Sequence, residues 1–561
     1  MDKSYFFERN LLALSQRHPE LCSKLSEAET THGRYKFIDS RNGSIIPAWV
    51  DQQKTAHPLH SIMDPEREAK RLITSMKSEG FLILLGLGGG YYAEAALEQD
   101  SVVMVVVVEY DINSLAELLC HRDYARFFGN PRFRLLVDAS CEELEQYILD
   151  IYQPVLSGGI SVIPLRSRTC FETSLFSRAG NSINSAIRKI SADYSVQAHF
   201  GRRWFSNIIR NLKQAKEFQE VLPPVRKIAI SAAGPSLSCQ IETLAKKRRE
   251  LFLIATDTSL PCLLNAGMEP DAVISIDCQH ISYYHFMNAM PDNTRLFLDL
   301  ASPPLLYSRA KRHQFFSGGH PLTRYVSRVC RTMPEIDTSG GNVTHAAVSL
   351  AEQLGAREIE LYGADFSYPQ GVFYAKGTYI YSYFAGRQNR FTPMEAQASA
   401  FLFRTPLQKK NLASHDNVPA SWYYETKTLE FYREKLEEKI SCMRAAIIPV
   451  RGLGAPITLQ PLKNQTSDTE RNLKLFSCGK AAMTADEFLS SYRSDIESLP
   501  LPEKNSTEYI FQLKNEAQAV FATILPAAAA IKRQNPLLTF QELLAETKRY
   551  CIKEIDSVLQ V

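Results

Sequence analysis

The stretch Lys227-Ile-Ala-Ile-Ser-Ala-Ala-Gly-Pro-Ser236 decides the fold, because a short apolar segment runs directly into a glycine-proline turn. Gly234 permits a tight turn, and Pro235 can occupy the first position of a helix whose exposed N–H groups face an anion. A second apolar segment, residues 251–254, leads to Asp257, which follows Gly234 by 23 residues. This offset is close to the roughly 20 residues at which an acid binds ribose hydroxyls in doubly wound sheets. We therefore predict a nucleotide site formed by Gly234, Pro235, Ser236 and Asp257.

A purely structural interpretation of the same residues stays open. The turn at 234–235 could simply connect a strand to a helix, and Asp257 could cap a helix that begins near Ser259. The glycine turn recurs at Ser339-Gly-Gly-Asn342, ahead of an apolar helical pattern at 343–354, and this repetition favours the nucleotide site. We predict that the residues of the second turn also contact the nucleotide: Ser339, Gly340, Gly341 and Asn342.

Two further acids follow apolar segments of the same region. Asp277 ends the segment that begins at Asp271, and Asp365 follows the segment Glu358–Tyr362 by way of a glycine. Ligands of open α/β sheets bind at the carboxyl ends of the strands. Strand-end acids and two helix starts are therefore expected to surround one ligand.

These segments resemble the central domain of the motility accessory factor (Maf) flagellin glycosyltransferases. The resemblance is carried by Gly-Pro-Ser-Leu at 234–237, the run Leu263–Asp271, Ser275-Ile-Asp277, the Ser339-Gly-Gly helix start and Gly363-Ala-Asp365. Leu59–Ala69 and the glycine-rich turn at Gly86 resemble the amino-terminal region of the same family. The resemblance covers most of residues 1–400 and fades beyond. It implies transfer of a nonulosonic acid, such as pseudaminic or legionaminic acid, from its CMP-activated form to Ser or Thr of flagellin, in support of flagellar assembly and motility.

The central domain also resembles archaeal 6-hydroxymethylpterin diphosphokinase of the MptE-like type, and more distantly bacterial CMP-dependent sialyltransferases. Similarity of fold does not separate these activities. Three functions therefore stay open: a flagellin glycosyltransferase, a pterin diphosphokinase and a noncatalytic assembly protein with a nucleotide-binding fold. We favour the first, because an added amino-terminal domain and a helical tail suit a macromolecular acceptor.

A base that removes the proton of the acceptor hydroxyl would assist the transfer, by about 10²–10⁴-fold. Asp277 and Asp365 are the carboxylates that we place nearest the reacting centre. His415 lies roughly where the sialyltransferase resemblance implies a base, whereas His345 and the histidines at 280 and 285 are weaker candidates. The preferred reaction requires no cofactor and the sequence contains no metal motif, although Mg²⁺ bridging the two aspartates to phosphates would fit a diphosphokinase.

The amino-terminal region has a nucleotide-like pattern of its own. An apolar segment precedes Gly86-Leu-Gly-Gly-Gly90, and the valine run 102–108 leads to Glu109. This order approximates the dinucleotide fingerprint and the S-adenosylmethionine loop of methyltransferases, but Tyr91 stands where the third glycine is expected. We predict an accessory nucleotide site at Gly86, Gly88, Gly90 and Glu109, with a merely structural turn as the alternative.

Composition is consistent with a globular chain: the 561 residues are 45% hydrophobic and 22% charged, enough for roughly three domains. Eleven scattered cysteines without a Cys-x-x-Cys pair favour neither disulfides nor a cysteine zinc site, so we expect a cytoplasmic location. The apolar run 102–108 is far too short to span a membrane, and the start has no apolar signal-peptide core. A net charge of +3 without a long basic run predicts no nucleic-acid partner. The oligomeric state is left open.

The predicted fold class is α/β, with two Rossmann-like parallel-sheet domains in tandem followed by a helical carboxyl-terminal domain. Residues 1–222 are assigned to an accessory domain with a helical connector, which ends at Pro223-Pro224. Residues 223–400 form the central Maf and MptE-like domain. Residues 401–561 show apolar residues at helical intervals and no recognisable chemistry.

Overall fold

The computed structural model describes residues 3–15, 17–30, 33–76, 80–215, 222–288, 290–413, 420–459, 481–502, 509–510 and 512–560. Contacts within the chain group these residues into two compact units. The first comprises residues 1–201, 499–518 and 528–547, and the second comprises residues 202–498, 519–527 and 548–561.

The first unit contains a small antiparallel sheet and a four-stranded parallel sheet. The antiparallel sheet has the order β1-β2-β3, and the parallel sheet has the order β6-β5-β4-β7. The strands are β1 (Tyr35–Asp39), β2 (Ile45–Val50), β3 (Ala56–Pro58), β4 (Gly80–Leu85), β5 (Val102–Glu109), β6 (Phe133–Val137) and β7 (Ile160–Pro164). The helices are α1 (Lys3–Ser15), α2 (Pro19–Ser26), α3 (Pro65–Ser75), α4 (Tyr91–Leu97), α5 (Ile112–His121), α6 (Ala125–Phe128), α7 (Cys141–Ile151), α8 (Pro154–Ser157), α9 (Arg166–Thr169) and α10 (Thr173–Gln214), which continues into the second unit.

The valine run of β5 fits the position of this strand inside a parallel sheet. Val105 and Val107 pack into the core on one face of the sheet, and Val106 and Val108 pack into the core on the other. A strand that is buried on both faces is continuously apolar instead of alternating.

The second unit is built on a seven-stranded, fully parallel sheet with the order β12-β11-β10-β9-β8-β13-β17. A three-stranded sheet with the order β14-β16-β15 accompanies it. The strands are β8 (Lys227–Ser231), β9 (Phe252–Thr256), β10 (Ala272–Ser275), β11 (Arg295–Asp299), β12 (Arg312–Phe316), β13 (Glu358–Tyr362), β14 (Tyr368–Pro369), β15 (Gln408–Leu412), β16 (Ser421–Glu425) and β17 (Ala446–Pro449).

The helices of the second unit connect these strands. They are α11 (Leu237–Lys247), α12 (Leu260–Asn265), α13 (Pro321–Val329), α14 (Val343–Gln353), α15 (Tyr379–Ala385), α16 (Met394–Leu402), α17 (Lys427–Ser441) and α18 (Ala485–Ser498), with short 3₁₀ helices at Asp257–Ser259, His280–Phe286 and Pro304–Arg309. The last two helices, α19 (Asn515–Gln534) and α20 (Phe540–Leu559), each contribute to both units. None of the helices in the described ranges is long and apolar enough to cross a membrane.

The predicted fold class is confirmed: two parallel sheets lie in tandem, and helices follow. The structure adds strands where the sequence predicted only helices, because β15, β16 and β17 lie between residues 401 and 561. β17 pairs with β13 at the edge of the second sheet, and Ile447 lies in its buried core. The boundaries 1–222, 223–400 and 401–561 stay a prediction.

Candidate functional site

The carboxyl edge of the second sheet brings together four acids that end or follow its strands. Asp257, Asp277 and Asp365 follow β9, β10 and β13, and Asp299 is the last residue of β11. β8 lies between β9 and β13, so the direction of winding reverses beside it. Open α/β sheets bind ligands outside the carboxyl ends of their strands at such a reversal.

The helix start at Gly234–Ser236, where the sequence predicts a nucleotide, is occupied by a side chain of the same protein. The Ser236 N–H at the beginning of α11 donates to the Asp365 Oδ2 atom over 2.8 Å. Gly234 leaves room for this carboxylate, because a Cβ atom there would lie 2.4 Å from Asp365 Oδ2. Asp365 therefore occupies the position in which the sequence predicted a phosphate.

A glycine-rich segment that follows β17 covers the same place. The Leu453 N–H donates to Ser236 Oγ over 2.9 Å, and the Ala455 N–H donates to the Asp365 carbonyl over 2.9 Å. A Cβ atom on Gly454 would lie 2.6 Å from Asp365 Oδ1. Asp365 is only 5% exposed, and burial raises the pKa of its carboxyl group more than the Ser236 and Gly454 hydrogen bonds lower it. This geometry gives Asp365 a structural role and argues against its predicted role as a catalytic base.

The second helix start, at Ser339–Asn342, is open. Asn342 caps α14 by accepting a hydrogen bond from the His345 N–H over 2.9 Å. The N–H groups of Val343 and Thr344 belong to the first turn, and no acceptor for them occurs among the described residues. Gly341 is exposed and has a φ of 70°, a left-handed conformation that favours glycine. The turn therefore offers free donors and the positive end of a helix dipole.

The His345 ring packs against this turn at Gly340. A Cβ atom on Gly340 would lie 2.4 Å from the His345 ring, so only glycine fits there. The His345 Nδ1 atom lies 3.2 Å from the Asp337 carbonyl oxygen, and burial lowers the pKa of the imidazole. The packed, neutral ring agrees with the structural interpretation of this histidine.

Asp257 and Asp277 are neighbouring acids that follow the adjacent strands β9 and β10. Asp257 is 1% exposed, and its Oδ2 atom accepts a hydrogen bond from the Ser275 hydroxyl over 2.7 Å. Asp277 is half-buried, and its Oδ1 atom accepts from the Gln279 N–H over 2.9 Å. Burial raises the pKa of Asp277, and the neighbouring Asp257 raises it further. Of the two carboxylates, Asp277 is therefore the accessible one with a basicity suited to proton transfer.

Aromatic side chains connect the acid pair with the open turn. The position of a Cβ atom on Gly341 is 3.1 Å from the Tyr432 ring, and Asp277 contributes to the raised pKa of Tyr432. On the other side, the rings of His285 and Tyr379 lie edge to face at 4.6 Å. His285 is 8% exposed, and its Nδ1 atom has no hydrogen-bond partner in the described part of the chain. Tyr432 thus lies beside the open helix start and within electrostatic reach of Asp277, and His285 has an imidazole nitrogen without a described hydrogen-bond partner beside Tyr379.

Asp299 and His320 were missed by the sequence reasoning. Asp299 is 1% exposed, and burial raises the pKa of its carboxyl group. The His320 Nε2 atom lies 3.7 Å from Asp299 Oδ2, and the Trp204 ring lies 4.4 Å from the imidazole. The run Leu296-Phe-Leu-Asp299 carries the same apolar-then-acid pattern as its neighbours, so this acid could have been found.

His415 lies outside the described residues. Within the described ranges, no three His, Cys, Asp or Glu side chains are grouped so that they could hold a metal ion. A cavity of about 1030 Å³ opens at the amino ends of β8 and β9, beside Arg226, Lys227 and Arg248. The acids lie at the opposite edge of the sheet, so this cavity is not the candidate site.

The predicted accessory site in the first unit is filled by protein groups. Glu109 is 1% exposed, and its Oε2 atom lies 3.2 Å from Nη2 of the fully buried Arg168. The Gly89 N–H donates to His60 Nε2 over 2.9 Å, and the Tyr124 hydroxyl donates to the Gly88 carbonyl over 3.0 Å.

The glycines of this turn also pack tightly. Cβ atoms on Gly86, Gly88 and Gly90 would lie 3.0 Å or less from the side chains of Arg168, Leu165 and Phe127 respectively. This packing favours the alternative of a structural turn at Gly86, Gly88, Gly90 and Glu109, and the accessory nucleotide site stays a prediction.

Comparison with known proteins agrees with this architecture. Residues 203–371 match the family described as 6-hydroxymethylpterin diphosphokinase MptE-like. An uncharacterized protein of Treponema pallidum (strain Nichols) is 36% identical over 164 residues, which are 29% of this chain and 78% of that protein. A second uncharacterized protein of the same organism is 32% identical over 158 residues, which are 28% of this chain and 54% of that protein.

A solved structure matches the whole chain. The MAf glycosyltransferase from Magnetospirillum magneticum AMB-1 aligns with a TM-score of 0.60 and 12% identity, over 100% of this chain and 95% of that one. At this identity the match shows the fold, and it confirms the resemblance inferred from the sequence at that level. The chain therefore belongs to the same family as the first Treponema pallidum protein, contains an MptE-like region at residues 203–371, and has the fold of a Maf glycosyltransferase.

Proposed function

We propose that the protein is a glycosyltransferase that moves a nonulosonic, sialic-acid-like sugar from a CMP-activated donor to Ser or Thr hydroxyl groups of flagellin. The observation that carries the proposal is the half-buried Asp277 carboxylate in the same region as the open start of α14. A base and an anion-binding helix start are the two groups that such a transfer needs. The full-length similarity to a Maf glycosyltransferase supports the same conclusion.

The proposed reaction assigns one role to each group. Asp277 accepts the proton of the acceptor hydroxyl as its oxygen forms a bond to the anomeric carbon of the sugar. The bond from that carbon to the CMP phosphate oxygen breaks, and CMP leaves with the electron pair. Ser339, Gly340, Gly341 and Asn342 surround the phosphate, and the free N–H groups of α14 stabilise the charge that develops on it.

Asp257 acts in this scheme through Asp277. Its buried negative charge raises the pKa of Asp277, which makes the accessible carboxylate a stronger base. The Ser275 hydroxyl holds Asp257 in place. Asp257 is therefore a positioning residue, and its predicted contact with ribose hydroxyls remains a separate proposal.

A pterin diphosphokinase is the second candidate, favoured by the match of residues 203–371 to the MptE-like family. That reaction would transfer diphosphate from ATP to a hydroxymethyl group. Carboxylates at the same sheet edge could bind the Mg²⁺ that usually accompanies ATP. The two reactions differ in nucleotide and in acceptor, so one set of assays separates them.

The test combines purified protein with CMP-linked nonulosonic acids and unmodified flagellin monomer. Mass spectrometry of flagellin should show the added sugar with the wild-type protein and none with Asp277→Asn. The matched control is Asp292→Asn, an aspartate whose side chain is 66% exposed and pairs with Lys311. Equal transfer by the Asp277 variant would remove this residue from the mechanism. Diphosphate transfer from ATP to 6-hydroxymethylpterin, without glycan transfer, would establish the second candidate instead.

A further inference from the structure

The 3₁₀ helix that follows Asp277 exposes a row of large apolar side chains. A 3₁₀ helix has three residues per turn, so residues 281, 284 and 287 stand one above the other on one face. Ile281 is 39% exposed, Tyr284 is 40% exposed and Met287 is 61% exposed. Residues 282, 285 and 286 are buried on the other side of the same helix. The face turned to water therefore carries three large apolar or aromatic side chains.

Two tyrosines and an arginine of α15 and its carboxyl end extend this row. Tyr284 lies 6.1 Å from Tyr379 in a stacked arrangement and 6.2 Å from Tyr383 edge to face. The Arg387 guanidinium lies 3.9 Å from the centre of the Tyr383 ring. Arg387 is exposed and has no ion-pair partner among the residues that the structure describes. We call Ile281, Tyr284, Met287, Tyr383 and Arg387 the exposed row.

The exposed row is continuous with the candidate site. It begins four residues after Asp277, and His285 on the buried side of the same helix packs against Tyr379. His285 also acts electrostatically on Asp277. A molecule that lies along the exposed row would therefore have one end near the proposed base.

We propose that the exposed row binds an extended segment of the acceptor polypeptide and leads its hydroxyl group to Asp277. This inference rests on the proposed function, because it takes the acceptor to be a protein. From residue 281 to residue 287 the row rises about 12 Å, at about 2 Å per residue of a 3₁₀ helix. That length matches about four residues of extended chain at about 3.3 Å each.

Charge and surface chemistry both fit a polypeptide occupant. Apolar side chains of the segment would cover Ile281 and Met287, while tyrosine rings accept both apolar and polar neighbours. Arg387 lacks a carboxylate partner among the described residues, so it is complementary to an acidic side chain of the segment. The preferred acceptor sequence thus combines an apolar residue and an acid near the modified Ser or Thr.

The first experiment measures binding of unmodified flagellin monomer to the full-length protein in the absence of donor. Ile281→Ser combined with Met287→Ser should raise the dissociation constant about tenfold or more. Arg387→Ala should raise it and weaken its dependence on salt. The control is Leu537→Ser, which removes a leucine that is 97% exposed outside the exposed row and should leave binding unchanged. In transfer assays, the double variant should raise KM for flagellin and leave KM for the CMP-sugar unchanged.

Hydrogen exchange separates this inference from the proposed function. Flagellin should slow exchange of the backbone amides at 281–287 in the wild-type protein. Binding without that protection, or with unchanged affinity in the double variant, overturns the inference and leaves the function intact. Protection without any sugar transfer supports the surface and overturns the function. Flagellin that neither binds nor is modified overturns both, and protection of 281–287 by self-association without flagellin would assign the row to a second copy of the chain.

Discussion

Asp365 provides a sharp test of the difference between a strand-end acid that shapes the fold and one that performs chemistry. Its carboxylate accepts hydrogen bonds from the Ser236 N–H, over 2.8 Å, and from the Gly454 N–H. Asp365→Ala leaves both donors without their acceptor, at about 1–3 kcal/mol each. The loss of unfolding free energy should therefore be about 2–6 kcal/mol. For a unit of this size, that corresponds to a melting temperature lower by about 10 °C.

Asp365→Asn is the informative partner of this variant. The amide oxygen can still accept from the Ser236 N–H, and a neutral side chain replaces a carboxyl group whose pKa is raised by burial. The amide has only one acceptor oxygen, so we expect a loss of about 1–3 kcal/mol from the unpaired Gly454 N–H, and a melting temperature a few degrees below wild type. Sugar transfer by Asp365→Asn should stay within a few-fold of wild type. Scanning fluorimetry and the flagellin assay measure both quantities. A variant that melts as expected but transfers about a hundredfold more slowly would refute the structural assignment.

Further outcomes are expected for variants at Asp277, Gly341 and Arg168 and for the pH dependence of the wild type. Asp277→Asn should lower kcat about 10²–10⁴-fold, and CMP should still raise the melting temperature of this variant. In the wild type, kcat/KM should rise with pH through the raised pKa of Asp277 and then reach a plateau. The same shift makes the native state bind this proton more tightly than the unfolded chain, so the Asp277 contribution to stability falls as pH rises from its ordinary value of 3.8 through the raised pKa. Gly341→Ala should raise KM for the CMP-sugar about tenfold, because Gly341 has a φ of 70° and an added Cβ atom would contact Tyr432. Gly267→Ala is the control for backbone strain alone, because Gly267 has a φ of 71° and no neighbour within 4 Å of an added Cβ atom. Arg168→Met should destabilise the protein by about 3–5 kcal/mol, because it leaves the buried Glu109 without its cation. S-adenosylmethionine should not change the melting temperature of the wild type. A clear rise in that temperature would show that the first glycine turn can open.

The sequence was sufficient for the central strands of the two parallel sheets and for the turns that follow them, but not for the strands β15, β16 and β17. Apolar segments such as Ile228–Ile230 and the valine run 102–108 became buried parallel strands, as uninterrupted apolar runs predict. The positions of the turns after β8 and before α14 were also correct. Strands and turns depend mainly on residues that are close in the sequence, so local sequence patterns are enough to predict them.

The choice between the two helix starts could not be made from local patterns. The acceptor that closes the first start lies 129 residues from Ser236, and the covering Leu453 lies 217 residues from it. Nothing within the Gly-Pro-Ser motif distinguishes a turn that awaits a phosphate from a turn that receives a carboxylate of its own chain. The same holds for Glu109, whose partner Arg168 belongs to a later segment.

Asp299 was overlooked for a different reason. Its strand carries the expected pattern, but the turn that follows β11 lacks the glycine-serine signature that drew notice elsewhere. The small residue that accommodates this acid is Gly318 after the next strand, where a Cβ atom would lie 1.9 Å from Asp299 Oδ2. Apolar runs that end in an acid are therefore a better guide to this sheet edge than glycine motifs alone.

The buried Arg168 changes what the first unit can sense. A loop that binds a free nucleotide is occupied in proportion to the concentration of that nucleotide, whereas a guanidinium supplied by the same chain is present at an effectively saturating concentration in every molecule. The Glu109–Arg168 pair thus places a permanent cation beside the first glycine turn. A calorimetric titration with CMP should accordingly saturate at one molecule per chain. A second equivalent of bound nucleotide would instead show that the first glycine turn is occupied as well.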